Sequence, residues 1–239
     1  MYRVDMYYTV EQYAPILRTA QNIHFLLLFS YNLINHNLTQ KSMDAAKIDV
    51  VTAIKTSISW GIKNIISLIG AVLLWVLTIW IPYLNVGTTI AMLTIPIELS
   101  KGNTINPTFI FDAKYRKYMG EFFILNGIRS MAISIGFAFF IIPGIVMSIA
   151  YSMSNLLLLD KEMEPIQTLT KSNKLTYGNK WRMFFSQFAL IFVLFIVITI
   201  FGFIPFLGAI LQVIAIILAS PILLSLQAYF YKTLVLDVE

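Results

Sequence analysis

Arg129 is the residue best placed to do chemistry, because it stands within an otherwise apolar stretch. It lies nine residues after Gly120, which puts it about 13 Å into a bilayer at the rise of an α-helix. A charge at that depth costs about 3 kcal/mol or more, so it usually faces a partner or water. With Asn126, Gln187 and Gln212 it is predicted to form an intramembrane polar cluster for a lipid phosphate or a small solute. The alternative is that Arg129 snorkels to the cytoplasmic interface or caps carbonyl groups.

A second group consists of cations that precede or begin the apolar runs. Each could gain on the order of 1 kcal/mol near an anionic leaflet. They are predicted to contact lipid headgroups, and the alternative is that they only set the topology. Its members are Arg116, Lys117, Lys171, Lys174, Lys180 and Arg182, together with Lys114.

The remaining groups give little indication of catalysis. The closely spaced acidic residues Asp160, Glu162 and Glu164 could supply a paired acid and base, but a solvated loop is the preferred interpretation. His24 and His36 have no neighbouring carboxylates, so we expect no metal and no cofactor. The chain has no cysteine, and it has no phosphate-binding glycine loop, HExxH motif or serine elbow. We therefore expect that the protein is not an enzyme.

The composition predicts that these residues sit in a membrane protein. The chain is 58% hydrophobic and 12% charged, with a mean hydropathy of +0.77. A soluble domain is about half apolar and a quarter charged, so this chain has too little polar surface for water. The net charge of +5 suits basic cytoplasmic loops, and no nucleic-acid partner is expected.

The elements that would position the candidate residues recur about every 60 residues. The markers are three glycines and three prolines at matching intervals: Gly61, Gly120 and Gly178, and Pro82, Pro143 and Pro205. The expected fold is all-α and integral to the membrane, with six transmembrane helices in three hairpin repeats, residues 44–103, 104–162 and 163–239. Each hairpin is expected to follow an amphipathic helix at the cytoplasmic interface. Residues 1–43 are expected to form a separate interfacial helical region, with a poor extra span over residues 10–35 as the alternative.

The boundaries within the repeats follow from apolar runs and helix breakers. Pro143-Gly144 is predicted to be a tight turn, and Pro221 is expected to kink the last span without ending it. The predicted lead-in helices cover residues 47–64, 106–118 and 165–178. The predicted spans cover residues 65–81, 86–99, 121–142, 145–159, about 180–204 and 207–231. The second and fourth spans are short, so each is either a tilted span or a segment that falls short of the far side.

The distribution of positive charge predicts the orientation. Of the 17 lysines and arginines, none lies in the turns at the three prolines. Lys180 and Arg182 flank a span entry, and Arg129 alone lies deeper within a span. The positive-inside rule therefore places both termini and the lead-in helices in the cytoplasm, in a prokaryotic cytoplasmic (inner) membrane.

One motif resembles a known family. Leu169, Ser172, Leu175, Gly178, Asn179 and Trp181 form the pattern L-x-x-S-x-x-L-x-x-G-N-x-W, and an Ile-Ile-Pro-Gly-Ile run precedes it at residues 141–145. Residues 45–235 resemble the uncharacterised bacterial and archaeal membrane family that includes YciC-like inner-membrane proteins and the membrane domain of some glycerophosphodiester phosphodiesterases. The resemblance implies a six-span helical membrane protein, and it does not imply any particular catalytic activity, because most members have no established function. The chain departs from the pattern in its first 45 residues and carries no phosphodiesterase domain.

These observations favour a non-enzymatic scaffold, accessory subunit or lipid-interacting protein. The expected partners are membrane lipids, above all anionic ones, and other membrane proteins. The alternative is a transporter or exporter component for a small solute or lipid, since internal repeats and proline-broken helices are common in transporters. A continuous water-lined path would favour transport, whereas a dry packed interior would favour the scaffold.

Overall fold

The computed structural model describes residues 47–205 and 207–238, which belong to one contact unit, residues 46–239. The expectations for residues 1–43, including His24 and His36, lie outside the described residues. The ten α-helices of the described part are α1 (Val50–Lys63), α2 (Ile65–Thr78), α3 (Pro82–Met92), α4 (Ile95–Ser100), α5 (Met119–Phe139), α6 (Ile141–Ala150), α7 (Ser154–Lys161), α8 (Pro165–Leu175), α9 (Lys180–Gly202) and α10 (Gly208–Tyr231). Two 3₁₀-helices, Pro107–Phe111 and Ala113–Tyr118, precede α5, and a π-helix, Lys232–Leu236, follows α10.

Within residues 47–205 and 207–238, four helical stretches are long and apolar enough to cross a membrane: Ala113–Phe139, Ile141–Lys161, Lys180–Gly202 and Gly208–Leu236. Helices α1 and α2 pass the same test together, but they bend by 78° and form a broken span or a re-entrant loop. The described chain is thus an all-helical membrane protein with four or five candidate spans. Six spans and a threefold repeat are not confirmed.

Two of the three prolines at the predicted turns lie in the first turn of a helix. Pro82 is the first residue of α3, and Pro143 is the third residue of α6, where a missing N–H costs nothing. The predicted turn at Pro143-Gly144 is therefore wrong: the connection is Phe140, which is extended at φ −167° and ψ 162°. Gly144 instead serves close packing, since a Cβ atom there would lie 2.4 Å from the Phe137 ring.

The second lead-in segment is two short 3₁₀-helices and not one amphipathic helix. The side chain of Asn106 accepts a hydrogen bond from Thr108 N at 3.2 Å, as its predicted role as an N-cap requires. Asp112 accepts another from Lys114 N at 3.0 Å and is itself extended, with ψ 127°. Asp112, six residues after Asn106, is therefore the N-cap of a second helix. The extended backbone at Asp112 explains why one continuous helix does not form.

The three glycines with matching spacing have different structures. Gly61 lies inside α1, where an added Cβ atom would be 3.0 Å from the backbone of Ile222 in α10. Gly120 is the second residue of α5 and has open space around it. Gly178 lies between α8 and α9 with a left-handed φ of +78°. Equal spacing along the chain therefore does not produce equal structure.

Helix α1 packs through its small residues. Ala53, Ser57 and Gly61 are its buried positions, four residues apart, while Val51 and Ile62 are 57% and 58% exposed. A stripe of small side chains lets helices approach closely in a membrane, where apolar side chains gain nothing by leaving lipid. Val51 and Ile62 thus face outward, while the small residues of α1 make its closest contacts.

The turn at Pro82 lies beside a cation. The guanidinium carbon of Arg116 is 5.9 Å from the ring centre of Tyr83, and a Cβ atom on Gly87 would lie 2.9 Å from Cγ of Arg116. The expectation that this turn occupies the face opposite the cations is therefore wrong. The 78° bend after α1 and the break between α3 and α4 keep the first hairpin short and at the end of the molecule where α5 begins.

The packed core lies at the end of the molecule opposite the turns at Phe140 and Pro205. Its largest cluster joins Met183 near the start of α9 to Leu226, Phe230 and Tyr231 at the end of α10. Only 6% of the apolar window of α9 is buried within the described chain. The halves of α9 and α10 near their turn therefore expose apolar side chains to lipid.

Candidate lipid-binding surfaces

The serine of the sequence motif stabilises a helix break. Ser172 of α8 is fully buried, and its hydroxyl donates to the carbonyl of Ala150 at 2.6 Å and accepts from Met153 N at 3.2 Å. Ala150 is the last residue of α6, and Met153 is the last of the three residues that separate α6 from α7. Ser172 therefore satisfies backbone groups that an uninterrupted helix would have paired by itself.

Another motif residue anchors the chain before α1. The side chain of Asn179, 2% exposed, accepts a hydrogen bond from Ile48 N at 2.9 Å. Arg182 donates to the carbonyl of Ile48 at 3.2 Å. The start of α9 therefore holds both backbone polar groups of Ile48, and the motif residues Ser172 and Asn179 have structural contacts.

The acidic residues are each engaged by a different partner. Asp160, with a side chain 8% exposed, pairs with Lys101 and accepts a hydrogen bond from the Tyr231 hydroxyl at 2.6 Å. Glu164 accepts one from Gln167 Nε2 at 3.1 Å. The acidic group does not present two carboxylates that share one site.

Glu162 ends α7 in a left-handed conformation, with φ 49°. Its carboxylate accepts from the Tyr118 hydroxyl at 2.5 Å and from Lys117 Nζ at 3.1 Å. The hydrogen bond from Tyr118, followed by the bond and charge of Lys117, lowers the pKa of the Glu162 carboxyl below its usual range. The contact ties α7 to the segment that leads into α5.

The predicted intramembrane cluster is distributed over two helix pairs. Asn126 of α5 exchanges amide hydrogen bonds with Asn155 of α7 at 3.2 and 3.3 Å. Gln212 of α10 donates to the carbonyl of Ile198 at 3.0 Å, and Gln187 lines a groove beside α10. Arg129 is half-buried and makes no hydrogen bond or ion pair with any residue that the structure describes.

The predicted headgroup cations take several local roles. Lys117 pairs with Glu162, Lys180 Nζ donates to Asn173 Oδ1 at 2.8 Å, and Lys174 is exposed. Lys171 is half-buried and interacts with another group, so it is not a free cation. Arg116 lies over Tyr83, and Arg182 holds Ile48. Trp181 is 51% exposed, with its ring centre 5.9 Å from that of Phe184.

Two apolar grooves run along α10. One, of about 460 Å³, lies between α9 and α10 and includes Val197, Ala215 and Ala219. The other, of about 740 Å³, lies between α2, α9 and α10 and includes Trp75 and Gln187. Both are open at the protein surface, and α9 and α10, which line both of them, belong to candidate spans.

Comparison of the chain with protein-family models, curated proteins and solved structures returns no match. The family resemblance stays a prediction.

Proposed function

We propose that the protein is a non-enzymatic, lipid-interacting scaffold or accessory subunit of the cytoplasmic membrane. In this proposal, phospholipid acyl chains occupy the two grooves along α10 and become part of the surface that neighbouring membrane proteins contact. The observation that carries the proposal is the uneven packing of the spans. Their core is confined to one end, and the grooves of about 460 and 740 Å³ leave the rest of α10 open.

The chemistry of the grooves supports acyl chains as the occupant. The lining of the groove between α9 and α10 consists of apolar side chains, and Gln187, Ser220 and Gln227 are the polar residues of the other. Open grooves inside a bilayer are filled by the solvent there, which is lipid. Lys174, Lys180 and Arg182 lie at or near the start of α9, where they would favour anionic headgroups.

The buried polar contacts support a structural role. Ser172, Asn179, Asp160 and the Asn126–Asn155 pair are all used to hold helices together. Buried polar side chains that are satisfied within the chain rigidify a fold.

Native mass spectrometry of the protein purified in mild detergent tests the proposal. We expect phospholipid adducts on the parent chain, and fewer adducts on Ala219→Phe, which fills the groove between α9 and α10. Ala209→Phe adds the same ring on an exposed face of α10 outside the groove and should leave the adducts unchanged.

Two results would overturn the proposal. One is a parent chain that carries no phospholipid, and the other is equal lipid retention by both phenylalanine variants. Flux of a small solute through proteoliposomes of the parent would instead support the transport alternative.

A further inference from the structure

A second kind of surface lies at the end of the molecule where α1, α4 and α10 end. We define it as the lysine cleft, lined by Trp60, Lys63, Asn64, Lys101, Asn103 and Lys232, with a volume of about 190 Å³. A single water needs only about 10–15 Å³ of such space, so the cleft admits a much larger polar group. None of the three lysines belongs to the cation set that the sequence singled out.

The three lysines reach the cleft from separate parts of the chain. Lys63 is in the last turn of α1, next to the 78° bend. Lys101 follows α4, and Gly102 then turns the chain away with φ +79°. Lys232 follows α10 at the end of the candidate span Gly208–Leu236. Tertiary packing alone therefore assembles the charge.

Two of these lysines have no carboxylate partner among the described residues. Lys101 pairs with Asp160, but neither Lys63 nor Lys232 has an ion pair in residues 47–205 and 207–238. Both are exposed. Ammonium groups gathered around one cleft repel one another, so an anion placed between them would be stabilised.

Neutral groups complete the cleft. The Nζ atom of Lys232 lies 5.7 Å from the ring centre of Trp60, so the ring orients one ammonium group. Asn64 and Asn103 each use an amide proton within the chain, on the carbonyl of Trp60 at 3.0 Å and on Glu98 at 2.8 Å. Each amide has a second proton to donate. Lysines at helix ends also offset the helix dipole, but that role needs neither Trp60 nor the amides.

We propose that the lysine cleft binds the phosphate of an anionic phospholipid headgroup, with Lys63 and Lys232 as its principal contacts. Trp60 is suited to the boundary between headgroups and acyl chains, where tryptophan is enriched. The proposal rests on the lipid-interacting function above and identifies the headgroup site and the charge class of the lipid.

Titration of lipids into the detergent-purified protein, followed by native mass spectrometry, tests this site. The probes are phosphatidylglycerol and phosphatidylcholine with the same acyl chains. We expect the parent to bind phosphatidylglycerol more tightly, and Lys63→Gln/Lys232→Gln to lose roughly thirtyfold of that affinity. The estimate takes on the order of 1 kcal/mol for each lysine and tenfold for each 1.4 kcal/mol.

The double variant Lys47→Gln/Lys55→Gln is the matched control, because it removes the same charge from two exposed lysines outside the cleft. It should retain the preference for phosphatidylglycerol. Equal losses in the two double variants would overturn the site, as would unchanged binding in Lys63→Gln/Lys232→Gln. Displacement of phosphatidylglycerol by an equal concentration of glycerol 3-phosphate would overturn the assignment to lipid. If the parent binds phosphatidylcholine as tightly as phosphatidylglycerol, the lysine cleft is refuted as an anionic headgroup site, while the proposed function still holds.

Discussion

Ser172→Ala is the substitution whose effect follows most directly from the contacts. The variant removes a hydroxyl that both donates to Ala150 O and accepts from Met153 N, at a site with no exposure. Alanine leaves a carbonyl and an N–H group in the break between α6 and α7 without their partner. The surroundings are packed, since Met153 itself is fully buried in the main core.

The expected loss in the free energy of unfolding follows from the number of hydrogen-bonding groups left unpaired. A buried donor or acceptor without a partner costs about 1–3 kcal/mol. Taking the lower part of that range for each of the two groups, a total of roughly 2–3 kcal/mol is expected. For a chain of this size, 1 kcal/mol corresponds to about 2–4 °C in melting temperature. We therefore expect the melting temperature to fall by roughly 4–12 °C.

Tryptophan fluorescence of the detergent-solubilised protein during heating provides the measurement. Ser152→Ala is the matched control in the same break. Its hydroxyl donates only to the carbonyl of Ile149 at 2.8 Å, which also accepts from Ser152 N at 3.1 Å. Its removal leaves no group unpaired. Equal melting temperatures for Ser172→Ala and Ser152→Ala would refute the assignment of Ser172 as the residue that satisfies the break.

Three further perturbations test the packing, the electrostatics and the topology. Gly61→Val should destabilise the protein by about 1–3 kcal/mol in the same heating assay, since its Cβ atom would lie 3.0 Å from the backbone of Ile222. The Glu162 carboxyl has a lowered pKa, so its contact stabilises fully above the unfolded value of 4.5 and is lost as the pH falls through the lower folded value. The difference in melting temperature between the parent and Tyr118→Phe should therefore be constant above pH 4.5 and shrink below it. Single cysteines in this cysteine-free chain should react with an impermeant maleimide from one side at position 83 and from the other side at positions 140 and 203.

Each of these tests has a specific contradicting result. Gly127→Ala is the control for packing, because nothing lies within 4 Å of an added Cβ atom there. Equal stability of Gly61→Val and Gly127→Ala would contradict the close approach of α1 to α10. A Tyr118→Phe difference that persists at low pH would show that Glu162 is not its partner. Labelling of all three cysteine positions from one side would contradict this topology and support the predicted six-span arrangement.

The sequence by itself determined the features that depend on near neighbours in the chain. The composition predicted the membrane as solvent, and the long apolar runs predicted α9 and α10 almost to their ends. Pro165 starts α8, Asn106 caps the helix after it, and Pro221 lies inside α10 without ending it. Each of these outcomes follows from the backbone of one residue or from local periodicity.

The sequence did not determine which polar residues meet. Asp160 and Lys101 are 59 residues apart, and Arg182 and Ile48 are 134 apart. The lysine cleft was missed because its lysines lie at the ends of three different helices. The one available signal was that Lys63, Lys101 and Lys232 each lie at or directly after a helix C-terminus.

Only the tertiary structure decided the course of the first hairpin. Residues 65–81 are apolar enough to predict a span, yet the bend before α2 and the contact of Arg116 with Tyr83 keep the hairpin beside the cations. The physical reason is the solvent. In water, apolar faces must be buried and periodicity shows which face packs, whereas lipid accepts every apolar face equally. The arrangement of helices is then set by small-residue contacts and by scattered hydrogen bonds such as those of Gly61, Ser172 and Asn179, whose partners lie far away in the chain.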